Sequence, residues 1–125
     1  MRLLLDTHIF LWAVTDDKRL NKKNHQVIRS ASEVYVSAAS IWEIAIKTAL
    51  GKLKGDPAEL ADAIDAAGFI VLPVRVEHAA AVVTLPLLHT DPFDRLLVAQ
   101  AMTEPLHLLT ADVQLPAYTP LVLLT

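Results

Sequence analysis

The stretch Arg2-Leu3-Leu4-Leu5-Asp6-Thr7-His8-Ile9-Phe10-Leu11-Trp12-Ala13 decides the fold class. Residues 2–5 form an aliphatic run that stops at Asp6-Thr7, after which Ile9, Phe10, Trp12 and Ala13 recur at helical spacing. A strand that is apolar at consecutive positions is buried on both faces, which is the habit of parallel sheets covered by helices. The rest of the chain repeats the alternation. A basic stretch over residues 18–29 predicts a second helix, and Val34-Tyr35-Val36 a second central strand. Residues 40–50 form an amphipathic pattern closed by Gly51, and Asp56-Pro57 opens a helix ending near Gly68. Residues 69–72 read as a strand, 76–85 as a helix, and Asp91-Pro92 as the start of a helix running through Leu96, Leu97, Ala99 and Ala101. Residues 106–109 and 121–124 close the series as strands. The expected class is α/β with a mostly parallel central sheet.

At 125 residues the chain is sized for a single domain, 1–125. Its 54% hydrophobic and 20% charged residues, with a mean hydropathy of +0.41, exclude a disordered chain. The apolar excess predicts that a second copy or a partner covers part of the surface. There is no cysteine, so a disulfide framework and a thiolate zinc site are excluded, and a cytoplasmic setting is expected. Asp6 and His8 interrupt the apolar start, which reads as strand and helix rather than as a signal peptide. No apolar run reaches the roughly 20 residues needed to span a bilayer, so a soluble protein is expected. The net charge of -3 excludes a passive nucleic-acid coat, unless the acids are gathered where a bound cation reverses the local sign.

The acids therefore matter by position. Asp6 and Asp112 each follow a strand, where ligands collect in open parallel sheets, although either could simply cap the next helix. Glu43 stands three residues after Ser40, the spacing of a capping box with Ser40 as N-cap. In His89-Thr90-Asp91-Pro92-Phe93-Asp94-Arg95, Asp91 is the expected N-cap, Pro92 the first helical residue and Asp94 the third. Each acid has a capping account, but their collection amid apolar sequence does not. Close carboxylates repel by about 1 to 4 kcal/mol per pair, so a cluster calls for a cation. All-oxygen ligands select Mg2+ or Mn2+, the usual apparatus of phosphodiester hydrolysis.

Four segments together carry a resemblance: Leu3 to His8; Ser37 to Lys47 with Ser40, Trp42 and Glu43; His89 to Arg95 running on to Ala99-Gln100-Ala101; and Leu109-Thr110-Ala111-Asp112. In order and spacing the chain resembles PIN-domain ribonucleases, the VapC-type toxins of type II toxin-antitoxin systems. The resemblance implies a three-layer α/β/α domain and an acidic site of Asp6, Glu43, Asp94 and Asp112. Asp6 and Asp94 would hold Mg2+ directly, with Glu43 and Asp112 completing the site and Asp91 either an outer ligand or a cap. It also implies an RNA substrate, 5'-phosphate and 3'-hydroxyl products, a homodimer and a cognate antitoxin.

Around that site, Thr7 and Thr110 are expected to orient neighbouring carboxylates or backbone, and His8 and His89 to be structural. The candidates for gripping RNA are Lys47, Lys52 and Lys54, the basic stretch 18–29, and Arg95. A solvated helix face explains the basic stretch equally well, and a salt bridge to Asp94 explains Arg95 equally well. Trp12 and Trp42 fall at core-like positions. Two other functions compete. A phosphatase with Asp6 as nucleophile generally wants a second Asp two residues on, where this chain has His8. A catalytically inactive binding module would not need intact acids.

Overall fold

Leu3, Leu4 and Leu5 have no exposed surface at all, and they divide between two cores. They lie on β1 (Arg2–Leu5), the middle strand of a sheet that a computed structural model, covering Met1–Thr125, shows in full. Successive side chains on a strand point to opposite faces, so a run of leucines needs cover on both. The neighbours of β1 are β2 (Glu33–Ser37) and β4 (His107–Thr110), with β3 (Ile70–Leu72) and β5 (Val122–Leu124) at the edges. Leu4 lies opposite Tyr35 on one side and Leu108 on the other. Every pairing is parallel.

On one face, Leu3 and Leu5 pack with Ile9 and Phe10 of α1 (Thr7–Val14), Ile28 of α2 (Lys22–Ser30), Ile44 of α3 (Ala38–Ala49) and Ile64 of α4 (Pro57–Ala66). On the other, Leu4 packs with Leu97, Val98 and Ala101 of α6 (Pro92–Thr103), and α5 (Val76–Ala81) adds Ala81 at the edge. This is the expected three-layer α/β/α arrangement. Burial of each large aliphatic side chain contributes about 1.5–3 kcal/mol, which fixes both layers on the sheet. No helix is long and apolar enough to cross a membrane.

Several element starts differ from expectation, for local reasons. The second helix begins at Lys22 rather than 18, because Asn21 accepts the Asn24 amide at 3.0 Å and so caps it there. Ser40 is not the N-cap of α3. Ser37, leaving β2, takes that place by accepting the Ala39 amide at 3.0 Å, so the Ser40/Glu43 capping box does not form. The helix after β3 ends at Ala81 and tightens into a 3-10 turn over Val82–Thr84. At the other end of α3, Gly51 at φ 71° lets Lys52 N–H reach the Lys47 carbonyl at 2.9 Å, satisfying a terminal carbonyl as a left-handed residue permits.

From β1 the chain moves outward to β2 and β3, then crosses back so that β4 lies on the opposite side of β1. The carboxyl ends of β1 and β4 thus flank the point where the strand order reverses, the usual ligand crevice of an open α/β sheet.

Candidate active site

The crevice is built from four separate segments. Asp6 leaves β1 and caps α1: its Oδ1 accepts the Ile9 amide at 2.9 Å while Oδ2 accepts the Thr110 hydroxyl at 2.5 Å. Thr110 ends β4, and its oxygen in turn accepts the Asp112 amide at 3.0 Å, so one threonine fixes two acidic segments. Burial pushes the Asp6 carboxyl up, against the hydrogen bonds from Thr110 and Ile9 and the charge of His8, and the Glu43 charge pushes it further. The capping reading of Asp6 holds through Oδ1, while Oδ2 ties the end of β1 to the end of β4.

Glu43 enters from α3 and is 3% exposed. Its Oε1 accepts the Thr7 hydroxyl at 2.7 Å and its Oε2 the Lys47 ammonium at 2.6 Å. A hydroxyl has one proton; the carboxylate takes that of Thr7, leaving the 3.0 Å Thr7 to Ser40 contact for the Ser40 proton. The hydrogen bond to Glu43 holds the Lys47 amine above its ordinary value, burial opposes this, and the charges of Glu43, Asp91 and Asp94 add to it.

Asp91 caps α6 as the sequence predicts, with Oδ1 accepting the Phe93 and Asp94 amides at 2.8 and 3.1 Å. Asp94 lies in the first turn. Burial, then the charge of Asp91, push Asp94 up to about 6, partly offset by a hydrogen bond with His89 and reinforced by Asp6 and Glu43. Asp112 uses Oδ1 to accept the Gln114 amide at 2.9 Å, leaving Oδ2 facing His89. Together these acids line a cleft of about 420 Å³ whose other walls are His8, Trp12, Arg19, Lys47 and Ala111. Five carboxylates face four basic side chains there, counting His89, which bridges two of them.

His89 was expected to be structural, yet its Nε2 lies 3.0 Å from Asp94 Oδ2 and 3.3 Å from Asp112 Oδ2. Ligand atoms of His89, Asp94 and Asp112 all fall within 4.8 Å of one another, close enough to share one metal ion. The only sequence signal was its place five residues before Asp94. Arg19 was likewise not singled out from its basic stretch.

Residues 3–119 match the PIN domain family. The chain belongs to the PIN-domain family. Solved structures share the fold along nearly the whole chain. A chain of VapBC2 from Rickettsia felis, solved bound to a DNA fragment from the promoter, is 16% identical at a TM-score of 0.70, covering 100% of this chain and 98% of that one. A chain of a toxin-antitoxin complex from Klebsiella pneumoniae is 18% identical at 0.66, covering 97% and 95%. FitAcB from Neisseria gonorrhoeae is 22% identical at 0.62, covering 90% and 88%. No curated protein matches the sequence.

Within this PIN domain the other predicted positions divide. Thr7 donates to Glu43 and Thr110 to Asp6. Lys47 lines the cleft, whereas Lys52 is an exposed residue just past α3 and does not. Arg95 is corrected outright: it is 9% exposed and forms no ion pair with Asp94. Its guanidinium instead donates to the carbonyls of Pro86, Val82, Leu85 and His89 and to the Tyr118 hydroxyl, tying down the loop ahead of α6. Trp42 is 61% exposed, edge-on to Phe93, rather than in the core. Trp12 is half-buried on the cleft wall with the Arg19 guanidinium 5.1 Å over its ring.

Proposed function

We propose that this PIN domain is a Mg2+-dependent endoribonuclease and the toxin of a toxin-antitoxin pair, cutting RNA to 5'-phosphate and 3'-hydroxyl ends. The observation that carries the reading is the crowding of Asp6, Glu43, Asp91, Asp94 and Asp112 at one strand-end crevice, with Asp94 raised to about 6. Such a site is costly without a cation. The donors fit Mg2+ or Mn2+: all but the His89 nitrogen are hard oxygens, and no thiolate competes. Asp6, Asp94 and Asp112, with Glu43 beside them, would hold the ion. When bound, it lowers the pKa of a water and neutralises charge on phosphoryl oxygens.

The chain's own residues hold the rest in place. Thr110 and the Ile9 amide fix both oxygens of Asp6 and favour its ionised form against burial. Thr7 and Lys47 hold the two oxygens of Glu43, so two carboxylates are oriented before any ligand arrives. The toxin assignment is supported by the fold shared with VapBC2 and the K. pneumoniae toxin-antitoxin complex. Exposed Val76, Val83 and Leu87, at 85%, 87% and 92%, support an apolar cover supplied by a second copy in a homodimer or by an antitoxin. The protein would act in the cytoplasm, where RNA and antitoxin meet it.

The test is cleavage of total RNA by the purified chain with Mg2+, with Mn2+ and with EDTA, alongside Asp6→Asn. Cleavage that requires metal and fails in the variant is expected. A folded protein that cuts no RNA with either metal overturns the reading. Co-expression with the product of the neighbouring gene should yield a complex that no longer cuts.

A further inference from the structure

The chain is acidic overall, yet residues 18–29 hold five of its eleven Lys and Arg and none of its fourteen Asp and Glu. A charge run of this kind is ordinarily just a solvated helix face. Here it is more than that. Lys22, His25, Gln26 and Arg29 recur at i, i+3, i+4 and i+7, so they share one face of α2, and with Asp16 they line a hollow of about 380 Å³. Asn24 and Ile28 anchor the opposite face in the protein. Neither Lys22 nor Arg29 makes an ion pair within the chain.

The basic stretch reaches the acidic cleft at Arg19. That side chain lines the cleft, stacks 5.1 Å over the Trp12 ring, and is gripped by Asp17 at 2.8 and 3.1 Å from two of its nitrogens. Arg19 is therefore a preorganised cation whose partner lies outside the acid cluster. Lys22 follows three residues later, so their Cα atoms are at most about 11 Å apart. The intervening turn is pinned by buried Leu20, whose amide donates to the Asp17 carbonyl at 3.1 Å. Cations thus step from the mouth of the cleft along one helix face.

We infer that Arg19, Lys22 and Arg29 form a track for the phosphates of single-stranded RNA flanking the bond to be cut, with His25 and Gln26 hydrogen-bonding the backbone between them. The inference rests on the nuclease reading and extends it. Without a bound cation the acid cluster repels phosphates, and a bound ion would neutralise only the phosphate being cut. Affinity must come from elsewhere, and the cationic hollow lies on the stretch that reaches the cleft. Arg19, stacked on Trp12 with its plane largely exposed, also offers a surface on which a base can stack.

The variant Lys22→Ala/Arg29→Ala tests the track without touching the acids. Binding of a fluorescent single-stranded RNA of about 16 nucleotides, measured in EDTA across a range of KCl, should lose about 1.4 from the slope of log K against log salt, roughly 0.7 per phosphate contact. In Mg2+, KM for the same RNA should rise several-fold with kcat unchanged, while kcat/KM for a dinucleotide, whose single phosphate is the one cut, stays at the wild-type value. A structural defect would lower both. Lys22→Glu/Arg29→Glu should deepen the loss on the long RNA only. Wild-type salt slope and KM in both variants overturn the track while leaving the nuclease reading intact. Variants that keep RNA binding but no longer hold the antitoxin overturn it in favour of a protein-binding face. A wild-type chain that neither binds nor cuts RNA removes the nuclease reading, and the track with it.

Discussion

Helix α6 carries a buried polar cluster at each end, and the two are balanced in opposite ways. At its C-terminal end His78, with no exposed surface, accepts the Arg75 amide on Nδ1 at 3.0 Å and sits 2.5 Å from Glu104 through Nε2. An accepting Nδ1 carries no proton, which leaves Nε2 as the donor toward Glu104. Gln100 joins by donating to the Pro73 carbonyl at 3.3 Å. One carboxylate, partly in solvent, has its partner inside the protein. At the N-terminal end, Asp91 and Asp94 meet Asp6, Glu43 and Asp112, with Lys47 pairing Glu43 and His89 between Asp94 and Asp112. Burial of polar groups is common to both ends. An excess of carboxylates marks only the second, and that is what separates it from the cluster that fastens α5 to α6.

The largest effect should break the two ends apart in activity. Asp94→Asn, which keeps the shape but not the charge, is expected to lower metal-dependent RNA cleavage by on the order of a hundredfold or more, since a lost ligand should cost at least as much as a lost outer-shell partner. Glu104→Gln, at the other end of the same helix, should leave the rate unchanged. Equal losses in both would mean that α6 acts as one unit and that the contrast has no chemical content.

Metal response comes next. A cation that binds only the folded chain stabilises it by about 2.7 kcal/mol at a hundredfold excess over Kd. The melting temperature of the wild type should therefore climb by several degrees in saturating Mg2+ or Mn2+. Glu104→Ala strands the His78 proton and should lower stability by about 1–3 kcal/mol, yet keep the full metal increment. Asp94→Asn should do the reverse.

How much of this was legible follows from the range of the interactions. Consecutive apolar residues announced the buried parallel strands, and Asp91-Pro92 announced a helix start, because both signals are local. Glu43 was found for a partly wrong reason. Ser37 and Ser40 both offer a hydroxyl near the helix start, and only the exit of β2 decides for Ser37. Trp42 looked like core in an apolar run, but Glu43 and Ile44 turn inward, which leaves Trp42 on the outer face. His89 and Arg95 were beyond reach, since their partners are set by how residues 82–89 fold back over α6, and no spacing encodes that.

Acidity sharpens the comparison further. Asp94 is raised from 3.8 to about 6 in the metal-free protein. A carboxyl raised on folding contributes stability fully present below its ordinary value and lost as pH rises through the folded one. Allowing for its partial exposure, metal-free protein should lose on the order of 2 kcal/mol from this group between about pH 4 and pH 6. Denaturant melts of Asp94→Asn should lack that decline, and Mg2+ should abolish it in the wild type. A wild-type profile identical to that of the variant would mean that the acid cluster carries no strain of charge.

The smallest effect belongs to Glu43→Gln, and its smallness is the point. Because Ser37 caps α3, Glu43 has no helix-start role to lose. Gln can still accept the Thr7 hydroxyl through its carbonyl oxygen. Its amide would then face the Lys47 ammonium, donor to donor, and Lys47, with 37% of its side chain exposed, can swing into solvent. Loss of a partly exposed ion pair costs roughly 0–1 kcal/mol. Against this, one buried charge and its repulsion with Asp6 and Asp94 disappear, a gain of similar size. Metal-free stability should therefore stay within about 1 kcal/mol of wild type while cleavage falls steeply. Charge removal at Glu104 has no such relief, because nothing there repels it. If Glu43→Gln instead unfolds the protein as readily as Glu104→Ala does, Glu43 is a fastening like Glu104, and the two ends of α6 are alike.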